Sequence, residues 1–210
     1  MMQAVPSEKL TPERRRQLTR DALLDAAEVV FAQKGVNGAS MEEIAGEAGF
    51  TRGAIYSNFG SKDELMLAVM ERFFDRQFQR FSGAPRTGDF MTSAHDAGVL
   101  FRETVNLALL PLELELRLTA LRNPAARRRL AASDREFGER AAQLVEQYTT
   151  EQGFRLKIPA RDLADIGRAA SIGLVQYAAV DEEEAERYQQ LMETVFMLIA
   201  TAAVEPPDGD

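Results

Sequence analysis

Two cations stand in a stretch of the chain without acidic side chains, residues 51–62. Arg52 can donate paired hydrogen bonds to guanine O6 and N7, and Lys62 can pair with a phosphate. Such a stretch is unexpected in a chain with 33 acidic and 25 basic residues and a net charge of −8. Because phosphate binding depends on Arg and Lys, the pattern predicts a surface that faces nucleic acid.

The residue types on which much enzyme chemistry depends are scarce. The chain has no cysteine, which excludes disulfides, thiol nucleophiles and cysteine-based zinc sites, and its one histidine, His95, excludes a paired-histidine metal site. The acidic clusters at Glu113/Glu115 and at 182–184 have no histidine or glycine-rich phosphate loop beside them. We therefore expect a protein that is not an enzyme and that holds no metal or cofactor.

Helical periodicity dominates the chain of 210 residues, and no run of alternating apolar and polar residues argues for a sheet. The sequence predicts an all-α fold. Thr11 and Pro12 favour a helix start, and Gly35 favours a stop. Further helices are predicted at about 89–110, 111–121, 123–153, 159–180 and 181–203, with 154–158 as a connection.

Three helix starts lie close together between residues 40 and 65. Ser40 with Glu43 forms a capping box, Thr51 can cap a second short helix, and Ser61 begins a longer one. The first two helices are separated by a turn at Gly49. Two short helices with this spacing, residues 40–59, are typical of a helix-turn-helix, whose second helix enters the DNA major groove.

The sequence of residues 50–65, FTRGAIYSNFGSKDEL, resembles the DNA-binding signature of the tetracycline-repressor (TetR) family. The resemblance extends back through residues 40–45, SMEEIA, and 23–27, LLDAA, and covers about residues 17–77. It implies an N-terminal three-helix DNA-binding domain followed by a larger helical domain for ligand binding and dimerisation.

The resemblance implies roles for individual side chains on the second helix and beside it. Arg52, Gly53 and Ala54 take groove-facing positions, with Arg52 expected to read a base edge, whereas Tyr56 and Lys62 take phosphate-contact positions. The residues expected to bind DNA are Ser40, Thr51, Arg52, Gly53, Ala54, Tyr56, Ser57, Asn58 and Lys62. Ser40 and Thr51 can also serve as caps alone, and Tyr56 can be a half-buried core residue. Glu42 is assigned no contact.

The distribution of charge and the helix start and stop signals predict four segments: a basic N-terminal arm (1–16), the DNA-binding domain (17–77), the ligand-binding and dimerisation domain (78–204) and a disordered acidic tail (205–210). The first 62 residues carry equal numbers of basic and acidic side chains, so the whole net charge of −8 belongs to the rest. The arm either reaches the adjacent DNA groove or is a solvated helix start. The arginines at 127–129 are expected to form a solvated face.

A dimer is expected because one recognition helix reads too few base pairs for a specific site. The last two predicted helices carry the apolar stripes best suited to an interface, unless these fill the subunit's own core. The candidate interface residues are Leu163, Ile166, Gly167, Ala170, Gly173, Leu174, Tyr177, Tyr188, Leu191, Met192, Val195, Leu198 and Ile199. The family resemblance implies a four-helix bundle between subunits.

The middle helices are rich enough in apolar residues to enclose a small molecule. The resemblance implies that such an effector releases the protein from DNA, and its identity is not readable. The candidate contacts are Phe101, Leu109, Leu112, Leu116 and Phe137, each of which can equally be plain core. His95 in a helix is more typical of a surface or satisfied core residue than of a ligand contact.

The sequence therefore favours a ligand-responsive transcriptional regulator, expected to be a repressor, that binds a palindromic double-stranded DNA operator as a homodimer. The alternative is a helical protein-interaction module that does not bind DNA. The longest apolar stretch, residues 195–204, is about half of the ~20 residues that a membrane span needs. With no signal pattern at the N-terminus, we expect a cytoplasmic protein without a membrane partner.

Overall fold

The computed structural model describes residues 11–83, 90–104 and 107–205. The elements are, in chain order, α1 (Pro12–Gly38), α2 (Met41–Glu47), α3 (Arg52–Phe59), α4 (Lys62–Gly83), α5 (Phe90–Thr104), a 3₁₀ turn (Leu107–Leu109), α6 (Leu110–Arg122), α7 (Pro124–Glu151), β1 (Arg155–Leu156), α8 (Ala160–Val180), α9 (Ala185–Ala203) and β2 (Val204–Glu205). The described residues are almost entirely helical, which confirms the all-α prediction.

Side-chain caps begin the N-terminal helices where the sequence predicts them. The hydroxyls of Thr11, Ser40, Thr51 and Ser61 each accept a hydrogen bond, at 3.2 to 3.3 Å, from the backbone N–H three residues later. Asn123 caps α7 in a similar way, since its Oδ1 accepts hydrogen bonds from the backbone N–H groups of Ala125 and Ala126. Each cap satisfies N–H groups that a helix start leaves without intrahelical partners.

The first helix starts and breaks at the predicted residues. Because α1 begins at Pro12, the arginines at 14–16 lie in the first turns of a helix and not in a separate arm; residues 1–10 lie outside the described residues. Gly35 has a φ of +68°, and a further short helical stretch runs on to Gly38. A left-handed backbone is available to glycine without a side-chain clash, which explains the break.

The described residues divide into two compact units. The first contains residues 11–70 together with Pro111–Leu116, and the second contains the described parts of 71–110 and 117–205. The core of the first unit is made by apolar stripes of its helices. Its buried side chains include Leu23, Ala27, Ile44, Ile55, Phe59, Leu65, Val69, Leu112 and Leu116.

The second unit is assembled by contacts between residues far apart in sequence. Its helix α9 packs against both α5 and α8, and α7 packs against α8. Two glycines permit these close approaches: a Cβ on Gly98 would lie 2.8 Å from the Cα of Glu193, and one on Gly138 would lie 2.3 Å from Cζ of Arg161. Close packing therefore requires glycine at position 98, where the neighbour is backbone, whereas at position 138 the end of the Arg161 side chain would have to move.

The second unit also departs from the predicted elements in two places. The helix expected at 89–110 is interrupted, because a 3₁₀ turn at Leu107–Leu109 precedes the start of α6 at Leu110. The expected connection at 154–158 and the start of the expected tail form a short antiparallel pair, with Arg155 opposite Glu205 and Leu156 opposite Val204. An Arg155–Glu205 ion pair at 2.9 Å accompanies it; residues 206–210 of the expected tail lie outside the described residues.

Candidate nucleic-acid interface

Helices α2 and α3 form the expected helix-turn-helix. The turn passes through Gly49 at a φ of +75°, and the Phe50 N–H donates to the Ala45 carbonyl at 2.8 Å. Ile55 and Phe59 bury one face of α3 in the first unit. Gly60, with a φ of +62°, ends the helix. The opposite face of α3 is therefore presented to solvent.

The exposed face of α3 carries the residues that the sequence assigned to DNA. Arg52, Gly53, Tyr56 and Ser57 are exposed, and Arg52 has 73% of its side chain in solvent. Ala54 is half-buried, and its carbonyl accepts from Ser57 Oγ at 2.9 Å and from Asn58 Nδ2 at 2.8 Å. Asn58 is thus already bonded within the helix, and only its second amide hydrogen is left to donate to a phosphate.

Arg52 shares an acidic neighbour with Tyr56. The Nε of Arg52 lies 3.0 Å from Oε1 of Glu42, and the Tyr56 hydroxyl donates to the same oxygen at 3.4 Å. The Arg52 guanidinium also lies 5.4 Å from the centre of the Tyr56 ring. Sequence reasoning assigned Glu42 no contact, and the signal that could have found it is its place in the first turn of α2, beside the start of α3.

Lys62 occupies the first position of α4 and is half-buried. Its ammonium donates to the Ala39 carbonyl at 2.6 Å, which links the start of α4 to the segment between α1 and α2. An ammonium has three donors, so two N–H groups are left for a phosphate. The structure thus gives Lys62 a structural contact in addition to its expected DNA contact.

Arg20, to which the sequence assigned no role, contacts the end of α3. Its Nη1 donates to the Asn58 carbonyl at 3.1 Å, and its guanidinium lies 4.4 Å from the centre of the Phe59 ring. The last carbonyls of a helix have no intrahelical partner and favour a cation. Arg20 therefore fixes the recognition helix from α1, and the C-terminal carbonyls of α3 are the signal that could have identified it.

The two cap hydroxyls of the helix-turn-helix are engaged but exposed. Ser40 and Thr51 use an oxygen lone pair for capping, which leaves the hydroxyl hydrogen of each for a phosphate. Beside Ser40, the Glu43 carboxylate accepts a hydrogen bond from the Lys34 ammonium. This bond holds the pKa of Glu43 below its ordinary value, with the Ser40 backbone N–H as a smaller contribution against the effect of desolvation.

The candidate dimer residues fall into three groups, which are buried, exposed or half-buried in the single chain. Leu163 and Met192 are buried within the single chain, which places them in the subunit's own core. Ile166, Tyr177 and Leu198 are exposed, the last two by 63% and 64%. The remaining candidates are half-buried: Gly167, Ala170, Gly173, Leu174, Tyr188, Leu191, Val195 and Ile199. The exposed Tyr177 stacks on the half-buried Tyr188, with ring centres 5.5 Å apart.

The candidate effector contacts fall into different environments. Leu109 is buried in the second unit, whereas Leu112 and Leu116 are buried in the first. Phe137 belongs to an aromatic cluster, Phe74, Phe78 and Phe137, with ring centres 4.9 and 4.7 Å apart. The side chain of Phe101 lies outside the described residues.

Other candidate chemistry can be located within the described residues. His95 is exposed on α5. No group of three or more His, Cys, Asp or Glu side chains in the described ranges is placed to hold a metal ion. In the same ranges, no helix combines the length and apolar character that a membrane crossing requires.

Comparison with known proteins identifies the segment that contains the helix-turn-helix. The profile of the family described as "Bacterial regulatory proteins, tetR family" matches residues 23–69. The helix-turn-helix transcriptional regulator YfiR of Bacillus subtilis is 26% identical over 200 residues, which cover 93% of this chain and 96% of YfiR. The chain belongs to the TetR family. It is therefore a DNA-binding helix-turn-helix transcriptional regulator.

Two further comparisons delimit what this TetR-family chain shares with others. The transcriptional repressor BepR of Brucella suis is 48% identical over 54 residues, but these span only 26% of each chain. The structure of a transcriptional regulator from Saccharomonospora viridis, solved in complex with choline, has a TM-score of 0.64 and 20% identity, covering 90% of this chain and 99% of that one. The first likeness is confined to about a quarter of each chain, and the second shows a shared fold.

Proposed function

We propose that this TetR-family protein is a homodimeric repressor that occludes a palindromic operator until a small-molecule effector releases it. The observation that carries the proposal is the exposed, acid-free face of α3 with Arg52 at its first position. A helix that starts at a groove also directs backbone N–H groups at phosphates. The repressor assignment draws on the name of BepR, which is 48% identical to this chain over 54 residues.

Dimerisation is supported by the outer apolar residues of α8 and α9. Ile166, Tyr177 and Leu198 expose large apolar surfaces that a second copy would cover. Two recognition helices held about one helical turn of DNA apart, roughly 34 Å, would read two half-sites related by the symmetry of the dimer. This symmetry is the reason for proposing a palindromic operator.

Effector binding is supported by the composition of the second unit. The aromatic cluster of Phe74, Phe78 and Phe137 lies beside Arg168, whose guanidinium is 4.4 Å from the Phe137 ring centre. The buried hydroxyl of Ser171, one turn along α8 from Arg168, has no hydrogen-bond partner among the described residues. The choline complex of the Saccharomonospora viridis regulator illustrates that a protein of this fold can bind a small molecule.

The first test is fluorescence anisotropy of the purified protein with the DNA upstream of its own gene and with a scrambled duplex, at two salt concentrations. We expect selective, salt-sensitive binding by a dimer. Arg52→Ala should cost about 1 to 3 kcal/mol of binding free energy and relax discrimination at one position of each half-site. Arg128→Ala removes the same charge from an exposed site on α7 and should leave discrimination unchanged.

Several outcomes would contradict the proposal. A folded dimer without selective binding at either salt concentration would favour the protein-interaction module. Equal losses in Arg52→Ala and Arg128→Ala would mean that Arg52 acts only through net charge. A monomer by sedimentation at DNA-binding concentrations would remove the homodimer. If choline and a panel of other small molecules never release the operator, effector control would be contradicted.

A further inference from the structure

One carboxylate contacts two of the α3 side chains that are expected to bind DNA, Arg52 and Tyr56. Glu42 Oε1 lies 3.0 Å from Arg52 Nε and accepts a hydrogen bond from the Tyr56 hydroxyl at 3.4 Å. The guanidinium is placed over the Tyr56 ring, 5.4 Å from its centre. Glu42, Arg52 and Tyr56 thus form a triad that joins the first turn of α2 to α3, and we call it the α2–α3 triad.

The α2–α3 triad contributes little to the stability of the fold. Arg52 has 73% and Glu42 has 46% of its side chain in solvent, so water and salt screen their attraction. In an exposed ion pair of this kind, the arginine can exchange its carboxylate for another partner at a small cost in free energy. Its effect should therefore be sought where DNA displaces the water and brings phosphate charges close to the carboxylate.

The geometry of the pair suits Arg52 for reading guanine. An ion pair made at Nε does not require the terminal groups Nη1 and Nη2, which are the fork that binds guanine O6 and N7. Glu42 on one side and the Tyr56 ring on the other restrict the orientations of the guanidinium. A side chain restrained before binding loses less conformational freedom when it binds.

The charge of Glu42 has a different effect when the DNA lacks the guanine that Arg52 is expected to read. There Arg52 stays paired with Glu42, so it neutralises a carboxylate instead of a phosphate and releases fewer counterions. The carboxylate also repels the phosphates directly. Both effects weaken binding to non-operator DNA.

We propose that Glu42 is a positioning and specificity-determining residue: it directs Arg52 to guanine and lowers the affinity for all other DNA. The inference rests on the proposed base-reading role of Arg52. Glu42 would thus act in DNA binding although its carboxylate carries the same sign of charge as the DNA phosphates.

The test uses the full-length protein and a pool of randomised duplexes, from which the wild type selects its preferred sequence. Binding is then measured on the selected duplex, on copies in which each guanine is replaced by 7-deazaguanine, and on a scrambled duplex across salt concentrations. The variants are Glu42→Gln, Arg52→Ala and the double variant. Glu47→Gln is the matched control, because it removes the same charge from an exposed position on the same helix.

We expect Glu42→Gln to bind the scrambled duplex more tightly and to steepen its salt dependence by about 0.9 per subunit, because Arg52 becomes available to a phosphate. The loss of affinity on 7-deazaguanine substitution should shrink by about two- to ten-fold, since Arg52 is no longer restrained. In the Arg52→Ala background, Glu42→Gln should not change the loss of affinity that each 7-deazaguanine substitution causes. Melting temperatures of all variants establish that each is folded.

Two results would overturn the inference alone, and a third would overturn the proposed function together with it. Glu42→Gln behaving like Glu47→Gln would show that Glu42 has no special role. A change in base preference by Glu42→Gln that persists in the Arg52→Ala background would mean that Glu42 reads a base directly, such as the cytosine amino group. A wild type that selects no sequence from the pool would reject DNA reading itself, and the inference with it.

Discussion

Arg52 in the first unit and Arg168 in the second have the same kinds of neighbour in different surroundings. Each pairs with a carboxylate and lies over an aromatic ring: Arg52 with Glu42 and Tyr56, and Arg168 with Asp134 at 2.6 Å and Phe137 at 4.4 Å. Arg52 has 73% of its side chain in solvent, whereas Arg168 has 14%. The same contacts therefore produce an exchangeable pair at the surface around Arg52 and a half-buried, more strongly held pair around Arg168.

The difference follows from desolvation. A guanidinium removed from water depends on its carboxylate partner, because nothing else compensates its charge. A guanidinium in water can leave its partner and bind DNA at little cost. Exposure, and not the identity of the contacts, decides which of the two arginines is available for function.

The largest expected effect tests the half-buried pair. Asp134→Ala removes a carboxylate that pairs with Arg168 and also with Arg117 at 3.4 Å, and it should lower the free energy of unfolding by about 2 to 3 kcal/mol. Asp75 is the matched control, since it pairs with Arg140 at 2.5 Å but has 54% of its side chain in solvent. Asp75→Ala should cost less than about 1 kcal/mol. Urea denaturation followed by circular dichroism measures both, and equal losses would break the comparison.

A smaller effect tests the local backbone on which the helix-turn-helix depends. Gly49→Ala places a side chain at a φ of +75° and should destabilise the protein by about 1 to 2 kcal/mol. Gly46→Ala, three residues earlier within α2, should be neutral or stabilising by up to about 1 kcal/mol. In both places a new Cβ meets no atom within 4 Å, so only the backbone conformation differs. Shifts of equal sign and size in urea denaturation would contradict this explanation.

The smallest effect concerns pH. Lys34 lowers the pKa of Glu43 in the folded chain, so the pair is fully stabilising at pH values above the ordinary pKa of the carboxyl group. That stabilisation is lost as the pH falls through the lowered pKa of the folded state. Glu43→Gln should therefore flatten the dependence of stability on pH in the acidic range, measured by urea denaturation at a series of pH values. Glu47→Gln keeps the Lys34–Glu43 pair. If the free energy of unfolding depends on pH as steeply in Glu43→Gln as in Glu47→Gln, the pair does not contribute to the pH dependence of stability.

The helix-turn-helix could be predicted because its signals are local. Ser40, Thr51 and Ser61 cap the helices that follow them, and Gly49 and Gly60 adopt the left-handed backbone that ends a helix. Each signal acts within about one turn of its own residue. The order and bounds of α2, α3 and the start of α4 therefore follow closely from the sequence.

The contacts that tune the candidate site could not be predicted in this way. Arg20 reaches the Asn58 carbonyl across 38 residues, and Glu42 reaches Arg52 across ten, because helices cross. In the second unit, Arg127 was expected on a solvated face, but its guanidinium donates to the carbonyls of Ala120 and Leu121 at the end of α6. A charged side chain has the same sequence signature whether it is solvated or bonded to a helix end.

The sequence by itself determined the fold class, the family and which face of α3 is exposed, because helical period, caps and a family signature are recorded in neighbouring residues. The tertiary structure decided which polar side chains are paired and which apolar ones are exposed. It assigned Glu42 to Arg52, placed Met192 in the core and left Tyr177 in solvent. These outcomes depend on how helices cross, and crossing is set by the packing of residues distant in the chain.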